Sequence, residues 1–553
     1  MEGTAAREPA GAQPGLYVRN ATGLVRDAGG TDTVFYNWVA GGGVGLALVY
    51  NVYWALNSFP GVDLVAATLI TVPIAFCAVI VFGLLAAAMP RSGGDYIFVS
   101  RILHPLWGFV SSWTGFISVV SYTGFVAWFF SVAFVSGSAA VLGEVSGISA
   151  LTDLAGWAAS TEGALVIGTL SLVVCCALMI LGLKVALRAI TVLAVVGLVG
   201  LVLSAVVLLI NDQAQFVSQF NAFANPRMGS DNAYDAVVAV AGENAFAAVP
   251  AGSGAFTGTT LPAMVIAFYA VGYSIWSIYY AGELKGGRSR RQQLLTMFVP
   301  TVLNSIVFVV VIGLMFRTVG YEFLSASSYL WNWAPDAYPL TVPPYVNFFV
   351  SLLSGNDLLN AIIGITWVTW PLAMILLIMV GFSRVIFAWS FDGVVPAFLA
   401  DVNERFRTPV KAIVLSFALA EAALLLMLYL QAEMLTFLAY GLLLALVFWI
   451  STAIAGALFP FRQRAVYESS QARWVIGGVP VITLAGVVLI AFVAFEIYTA
   501  LTNAGLGVLD VAQGILVAAA VMGAGAVIFG ASWYLRRQRG IDPSHVYREI
   551  PPE

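Results

Sequence analysis

Long apolar segments, separated by short polar stretches, recur along almost the whole chain. Twelve of them reach the roughly 20 residues that a helix needs to cross a bilayer. They cover residues 35–56, 62–88, 106–142, 163–183, 189–210, 261–282, 294–316, 358–389, 410–430, 435–459, 475–499 and 510–535. The pattern predicts an all-α polytopic membrane protein with about 12 transmembrane helices in a lipid bilayer.

The basic residues lie almost entirely on one side of this predicted topology. With the N-terminus inside, only Arg227 and Arg317 of the 24 lysines and arginines fall in outer loops. Because inner loops carry an excess of Lys and Arg, this distribution predicts that both termini are cytoplasmic. We expect a multi-pass protein of the cell (plasma) membrane.

Composition narrows the class of function. The 553 residues are 61% hydrophobic and 9% charged, with a mean hydropathy of +0.94, whereas a soluble protein carries about 25% charged residues. None of the three lysines follows a glycine, so there is no G-K-[ST] phosphate loop. Neither G-x-S-x-G nor H-E-x-x-H occurs, no basic tract suggests nucleic acid, and the three cysteines and two histidines lack metal-ligand spacing. We expect no enzyme, metal site or cofactor; a secondary transporter or a facilitator remains.

The first span contains a glycine run where a helix is weakest. Gly41, Gly42 and Gly43 are consecutive in the stretch NWVAGGGVGLALVYN, and each interior glycine costs a helix roughly 0.5–1 kcal/mol relative to alanine. A helix opened in lipid leaves amides and carbonyls unpaired. A substrate with both charges, such as an amino acid, would pair them. The alternative is close helix packing through small residues.

A second interruption is expected five spans later if the helices form an inverted repeat. The sixth span has Gly272 near its middle, among Tyr269, Tyr273 and Trp276. These aromatic side chains could close over a substrate, and core packing is the alternative explanation.

Several motifs together resemble the amino acid–polyamine–organocation (APC) permease family, which has the LeuT-type fold. The motifs occur in the family's order and read AGGGVG (40–45), AAAMPRSGGDYIFVSR (86–101), AGELKGGRSRRQ (281–292), SRVIFAWSFDGVVP (383–396) and VNERFRTP (402–409). The resemblance implies a 5+5 inverted repeat plus two C-terminal helices. It divides the chain into an N-terminal tail (1–34), a first repeat (35–210), a long extracellular loop (211–260), a second repeat (261–459), helices 11 and 12 (460–535) and a C-terminal tail (536–553).

The resemblance also implies a permease that moves amino acids by alternating access. The substrate carboxylate would lie on the amides of Gly41, Gly42 and Gly43. The substrate amine would lie on backbone carbonyls near Val39 and on a second group of carbonyls near the middle of the sixth span. That second group of substrate-binding residues comprises Tyr269, Ala270, Val271 and Gly272.

Aromatic residues complete the predicted site. Tyr269, Tyr273 and Trp276 are the predicted gate, and Tyr122 of the third span is a predicted wall of the pocket. The sixth span has no acid near Ile275, where some cation-selecting relatives carry one, so a neutral substrate side chain is favoured. Two alternatives remain, namely another small amine or organocation as substrate, and a sensor that binds amino acids without transporting them.

Coupling to Na⁺ or H⁺ would involve polar residues within other spans. Glu421 lies at mid-depth in the ninth span and is a candidate proton carrier because burying an ionisable group is costly; pairing with a hydroxyl across a helix interface is the alternative. Thr366 and Thr369 of the eighth span could bind sodium, or could instead bond to their own helix.

The outer loop 317–357 contains the aromatic stretch YLWNWAPDAYP. Its Trp331, Trp333 and Tyr338 would suit a lid over the substrate site. An ordinary aromatic belt at the membrane surface is the alternative.

Overall fold

The computed structural model describes residues 23–41, 44–508 and 510–548, with the backbone alone for Val44 and Arg548. Helices account for nearly all of its regular structure. In chain order the α-helices are α1 (Gly30–Ala40), α2 (Val44–Val49), α3 (Asn51–Ser58), α4 (Leu64–Ala88), α5 (Asp95–Ile102), α6 (Pro105–Phe129), α7 (Ser136–Ser146), α8 (Ser149–Ala159), α9 (Thr161–Ile180), α10 (Leu183–Ile210), α11 (Gln213–Met228), α12 (Ala233–Glu243), α13 (Met264–Val271), α14 (Arg290–Met315), α15 (Tyr321–Trp333), α16 (Val346–Ser354), α17 (Asp357–Trp367), α18 (Thr369–Phe391), α19 (Val410–Tyr429), α20 (Gln431–Arg462), α21 (Arg464–Ser469), α22 (Val481–Thr502), α23 (Val511–Gln538) and α24 (Ser544–Arg548).

Short elements of other kinds connect these helices. They are π-helical segments at Phe130–Val135, Phe256–Thr260 and Phe316–Gly320, 3₁₀ helices at Trp276–Tyr279, Ala281–Glu283, Pro335–Ala337, Ala397–Ala400 and Ala504–Leu506, and the strands β1 (Val475–Ile476) and β2 (Val479–Pro480). The two strands form an antiparallel hairpin before α22. The predicted all-α class is therefore confirmed.

Ten helices in the described residues are long and apolar enough to cross a membrane, or eleven if the first bent pair counts as one span. Two of the twelve predicted spans are not continuous helices. In the first, which we call span 1 (α1 to α3), α1 ends at Ala40 and α2 begins at Val44. In the sixth, which we call span 6, α13 ends at Val271 and only short 3₁₀ helices follow.

The two interrupted spans lie inside a ring of longer helices. α1 packs against α14 and α10, and α13 packs against α4. The surrounding helices carry large apolar side chains on their outer faces, for example Leu170 on α9, Val192 on α10 and Leu516 on α23, each more than half exposed. Such an outer surface suits contact with lipid, whereas the centre must satisfy its own backbone groups.

Both ends of the described chain lie on one side of the molecule, which we call the terminal side. Ala28 forms a bridge with Leu284 after span 6. Near the other end, the Tyr547 hydroxyl lies 3.2 Å from that of Tyr96 in α5, and the Tyr547 ring lies 5.1 Å from the Arg101 guanidinium carbon. Arg101 also forms a buried ion pair with Asp392 at 2.6 Å.

The two long loops pack on the opposite side. α11 and α12 contact α16 and α15 respectively. In the aromatic stretch, the Trp331 ring packs against Tyr338 and Tyr345, and the Tyr345 ring lies 5.5 Å from Tyr53 of α3. Trp333 is 65% exposed. Trp331 and Tyr338 of the stretch are therefore linked to span 1 through Tyr345, whereas Trp333 is largely exposed.

Candidate substrate site between the two interrupted helices

A buried asparagine joins the interruption of span 1 to that of span 6. The Asn37 side-chain nitrogen donates to Ser277 Oγ at 2.8 Å and to the Thr296 carbonyl oxygen at 2.9 Å. In return, the Ser277 amide donates to Asn37 Oδ1 at 2.9 Å. Asn37 is fully buried, so these bonds fix the end of α1 against the 3₁₀ segment of span 6 and against α14.

A second asparagine, Asn304 of α14, reaches both interruptions. Its Nδ2 donates to the Trp38 carbonyl at 3.1 Å and to Ser274 Oγ at 3.2 Å. Asn304 is 1% exposed, and its Oδ1 is buried and accepts no hydrogen bond in the described part of the chain. An acceptor of this kind is costly to bury unless a ligand or water pairs it.

Backbone acceptors are also free where α13 ends. The Gly272 amide closes the helix by donating to the Phe268 carbonyl at 2.7 Å. Beyond that bond, no described group donates to the carbonyl oxygens of Tyr269, Ala270 or Val271. Span 6 therefore presents carbonyls near its interruption, where the sequence predicts the substrate amine.

The predicted carboxylate site requires a correction at Gly41. Its amide donates to the Asn37 carbonyl at 3.1 Å and so completes α1, which leaves it unavailable to a carboxylate in this conformation. A side chain at Gly41 would instead collide with the Asn304 amide nitrogen and lie 2.5 Å from Ser274 Oγ. Gly41 thus permits a close approach. Gly42 and Gly43 lie outside the described residues, and Val39 is a fully buried residue of α1.

Three tyrosines gather beside these carbonyls. The rings of Tyr269 and Tyr273 stack with centroids 5.0 Å apart, and their hydroxyls lie close together. Trp449 Nε1 of α20 donates to the Tyr273 hydroxyl at 3.0 Å. Tyr122 of α6 is close enough to interact electrostatically with Tyr273 and Tyr269. The structure therefore brings the predicted wall residue to two of the predicted gate residues.

The third predicted gate residue, Trp276, lies on the terminal side of this group and lines a cavity. The cavity walls come from α5, α6, α18, α20 and span 6, and the lining residues are Asp95, Ser112, Gly115, Phe116, Val119, Trp276, Tyr279, Gly381, Phe382, Val385 and Phe448. It is narrow, with room for about one water molecule. In this conformation the side chains that line the cavity therefore nearly fill it.

A comparison with known protein families identifies the family to which this chain belongs. The sequence from residue 38 to residue 527 matches the family model described as amino acid permease. This chain belongs to the amino acid permease family. No curated protein sequence matches it. Membership confirms the predicted APC resemblance and makes the chain a membrane transporter of amino acids, not an enzyme.

The predicted coupling residues of this permease have local partners. Thr366 Oγ1 donates to the Ile362 and Ile363 carbonyls, both at 2.8 Å, and Thr369 Oγ1 donates to the Thr366 carbonyl at 2.7 Å. A side chain at Gly200 of α10 would collide with the Thr366 hydroxyl. Thr366 bonds to its own helix α17, and Thr369 of α18 bonds to the end of α17. Both threonines also face α10.

Glu421 of the permease also has a local partner. Thr169 Oγ1 of α9 donates to Glu421 Oε1 at 2.6 Å, while Glu421 Oε2 is buried and accepts no hydrogen bond in the described part of the chain. The geometry matches the pairing with a hydroxyl across a helix interface. In the described residues no three His, Cys, Asp or Glu side chains group as metal ligands do.

Sequence reasoning missed Asn304 and Glu496. Glu496 of α22 is 1% exposed, its Oε2 accepts no hydrogen bond in the described part of the chain, and it lies near Tyr269 and Tyr273. One signal was available for both residues, because a polar residue inside an apolar span is a functional candidate by default.

Proposed function

We propose that this permease carries amino acids across the membrane by alternating access, and that the substrate binds at the interruptions of spans 1 and 6. The observation that carries the proposal is the set of acceptors without described donors along the interruption of span 6. The carbonyls of Tyr269, Ala270 and Val271 and the Oδ1 atom of Asn304 fit an ammonium group, which has three donors and no acceptor.

Alternating access would open the site to each side in turn. Tyr269 and Tyr273 would close it on the outer side, and Trp276 would close it on the terminal side. The charge distribution of the sequence favours a cytoplasmic terminal side and a cell membrane location. A gradient of Na⁺ or H⁺ would drive accumulation.

A small amine without a carboxylate is the second candidate substrate. The described groups at the interruptions are acceptors, and the Gly41 amide is already used by α1. These groups bind the ammonium end of an amino acid and of a simple amine alike. The two substrates differ only in the carboxylate, which requires amide donors.

Counterflow in proteoliposomes tests the proposal and separates the two candidates. Liposomes with purified permease are preloaded with one unlabelled amino acid or with the amine obtained by its decarboxylation, and entry of labelled amino acid is followed. The experiment is repeated with Na⁺ present or absent and at several pH values. We expect accumulation with some amino acids and none with the matching amines. Accumulation only with amine preloads would show that the substrates are amines and not amino acids. No accumulation with any preload would favour a sensor that binds amino acids without transporting them.

A further inference from the structure

The cavity on the terminal side contains two oxygen atoms that have no hydrogen-bond partner in the described part of the chain. Asp95 is 2% exposed and Ser112 is 3% exposed. Asp95 Oδ2 and Ser112 Oγ are both buried and have no hydrogen-bond partner in the described part of the chain. Both residues line the same cavity. Because buried polar groups are almost always hydrogen-bonded, two free acceptors in one cavity indicate a ligand with donors.

The remainder of the cavity wall suits a positive charge. Aromatic rings of Phe116, Trp276, Tyr279, Phe382 and Phe448 line it, and the faces of such rings attract organic cations. Among the described residues that line the cavity, Asp95 alone is charged. A carboxylate surrounded by aromatic rings is a chemical match for an ammonium group.

The other charged groups near the cavity are already paired. Arg384 of α18 donates to Glu283 at 3.0 Å, and Arg101 of α5 donates to Asp392 at 2.6 Å. The Tyr279 hydroxyl and the backbone amides of Asp95 and Tyr96 lie close to the Asp95 carboxyl and favour its ionised form. Arg91, which is also buried, lies over the Phe391 ring at 5.2 Å. No described basic side chain is among the groups that act on the pKa of Asp95.

We propose that Asp95 and Ser112 form a subsite that holds the ammonium group of the substrate on its passage between the interruptions and the terminal side. The subsite rests on the proposed transport function and deepens it. Trp276 and Tyr279 line the subsite and follow the interruption of span 6 along the chain. An ammonium group that moves from the carbonyls of Tyr269 to Val271 toward the terminal side would therefore meet Asp95 next. The narrow cavity would widen when the terminal side opens.

The protonation of Asp95 gives the subsite a pH dependence. Burial raises the pKa of Asp95 to about 7, while the Tyr279 hydroxyl and the two backbone amides act in the opposite direction. The carboxylate is the form that attracts a cation. Affinity for an ammonium group on the terminal side should therefore fall as the pH falls through 7. The ionised fraction of a carboxyl group with this pKa is about tenfold lower at pH 6 than at pH 8.

The test uses propylammonium as the probe, because it carries the ammonium group and no carboxylate. Propylammonium is supplied on the terminal side of proteoliposomes with the full-length permease, and its inhibition of counterflow of the best amino acid is measured at pH 6 and 8. For the wild type we expect inhibition to be about tenfold stronger at pH 8 than at pH 6. At pH 8, Asp95→Asn should weaken the inhibition about tenfold relative to the wild type, and Ser112→Ala about threefold. Ser111→Ala is the matched control, since Ser111 is buried and without a hydrogen-bond partner but does not line the cavity.

The outcomes separate this inference from the proposed function. If wild-type protein shows counterflow but propylammonium inhibits equally at both pH values and in all variants, the subsite is wrong and transport stands. If Asp95→Asn fails to fold, two other results test the subsite. They are the pH dependence of propylammonium inhibition in the wild type and the inhibition of the Ser112→Ala variant. If no preload gives counterflow, propylammonium binding to the solubilised protein, measured by thermal shift at pH 6 and 8, still tests the subsite. A shift that is larger at pH 8 supports it, and equal or no shifts refute it.

Discussion

Asn37 and Asn304 are amides in otherwise apolar helices, and both act where a helix stops. Asn37 supplies two donated bonds and one accepted bond between α1, span 6 and α14. Asn304 supplies two donated bonds and leaves its oxygen free. A break in a helix inside lipid needs such side chains, because water is not there to pair the exposed backbone groups.

Asn37→Ala should destabilise the protein and abolish counterflow. The substitution leaves the Ser277 amide and the Thr296 carbonyl buried without this partner, which costs about 1–3 kcal/mol for each group. Thermal unfolding of purified protein measures the loss. Asn332→Ala is the control, because Asn332 is partly exposed and its one side-chain bond goes to the carbonyl of Ser328 in its own helix. If the Asn37→Ala protein is as stable as the control, the hydrogen bonds of Asn37 contribute little to the stability of the protein.

The sequence predicts the interruptions but not the contacts that hold them. A glycine run at Gly41 and a lone Gly272 weaken a helix locally, and that effect can be inferred from neighbouring residues alone. The bond from Asn304 to the Trp38 carbonyl joins positions 266 residues apart, and no local pattern specifies such a pair. For the same reason the burial of Glu496 against span 6 could not be inferred from its place near the end of α22.

At the scale of elements, one buried ion pair links the end of span 6 to α18. Arg384 and Glu283 are 1% and 3% exposed, and Arg384 donates through Nε at 3.0 Å and through a terminal nitrogen at 3.2 Å. Removal of one partner of such a pair leaves an uncompensated buried charge, which costs about 3–5 kcal/mol. The pair therefore ties the second half of span 6 to a helix that does not break there.

Arg384→Ala should strongly lower the stability of the permease. The double variant Glu283→Gln with Arg384→Met should recover most of that loss, because neither residue then carries a charge. Lys411→Ala is the control, since Lys411 and its partner Asp401 are each more than half exposed and such surface pairs contribute about 0–1 kcal/mol. Melting temperatures of the four proteins measure the effect. Equal melting temperatures for Arg384→Ala and Lys411→Ala would contradict it.

At the scale of the whole molecule, the two chain ends fasten the terminal side. The segment before α1 pairs with Leu284, and α24 returns to α5 through Val546 and Tyr547, which are 2% and 8% exposed. The Tyr547 ring faces Arg101, whose ion pair with Asp392 spans α5 and the end of α18. The C-terminal segment thus packs over the ion pair that joins α5 to the end of α18, and we expect this contact to restrict opening of the terminal side.

Tyr547→Ala should lower the melting temperature and increase the rate of counterflow relative to stability-matched variants. Loss of the ring removes a buried apolar contact and a cation–π contact with Arg101, which is worth about 0.5–2 kcal/mol. Tyr547→Phe retains the ring and should behave almost as wild type. Tyr498→Ala is the control because Tyr498 is 65% exposed. If Tyr547→Ala and Tyr498→Ala behave alike, the C-terminal segment does not hold the terminal side.

The central claim is that substrate binds where spans 1 and 6 are interrupted, and Gly41→Ala tests it most directly. A methyl group at Gly41 would collide with the Asn304 amide and crowd Ser274, while the membrane-spanning helices keep their sequence elsewhere. Gly313→Ala is the matched control, because a methyl group there meets no atom within 4 Å. In counterflow with correctly inserted protein, we predict a loss of about tenfold or more for Gly41→Ala and wild-type activity for Gly313→Ala. Wild-type counterflow by Gly41→Ala would contradict the placement of the site.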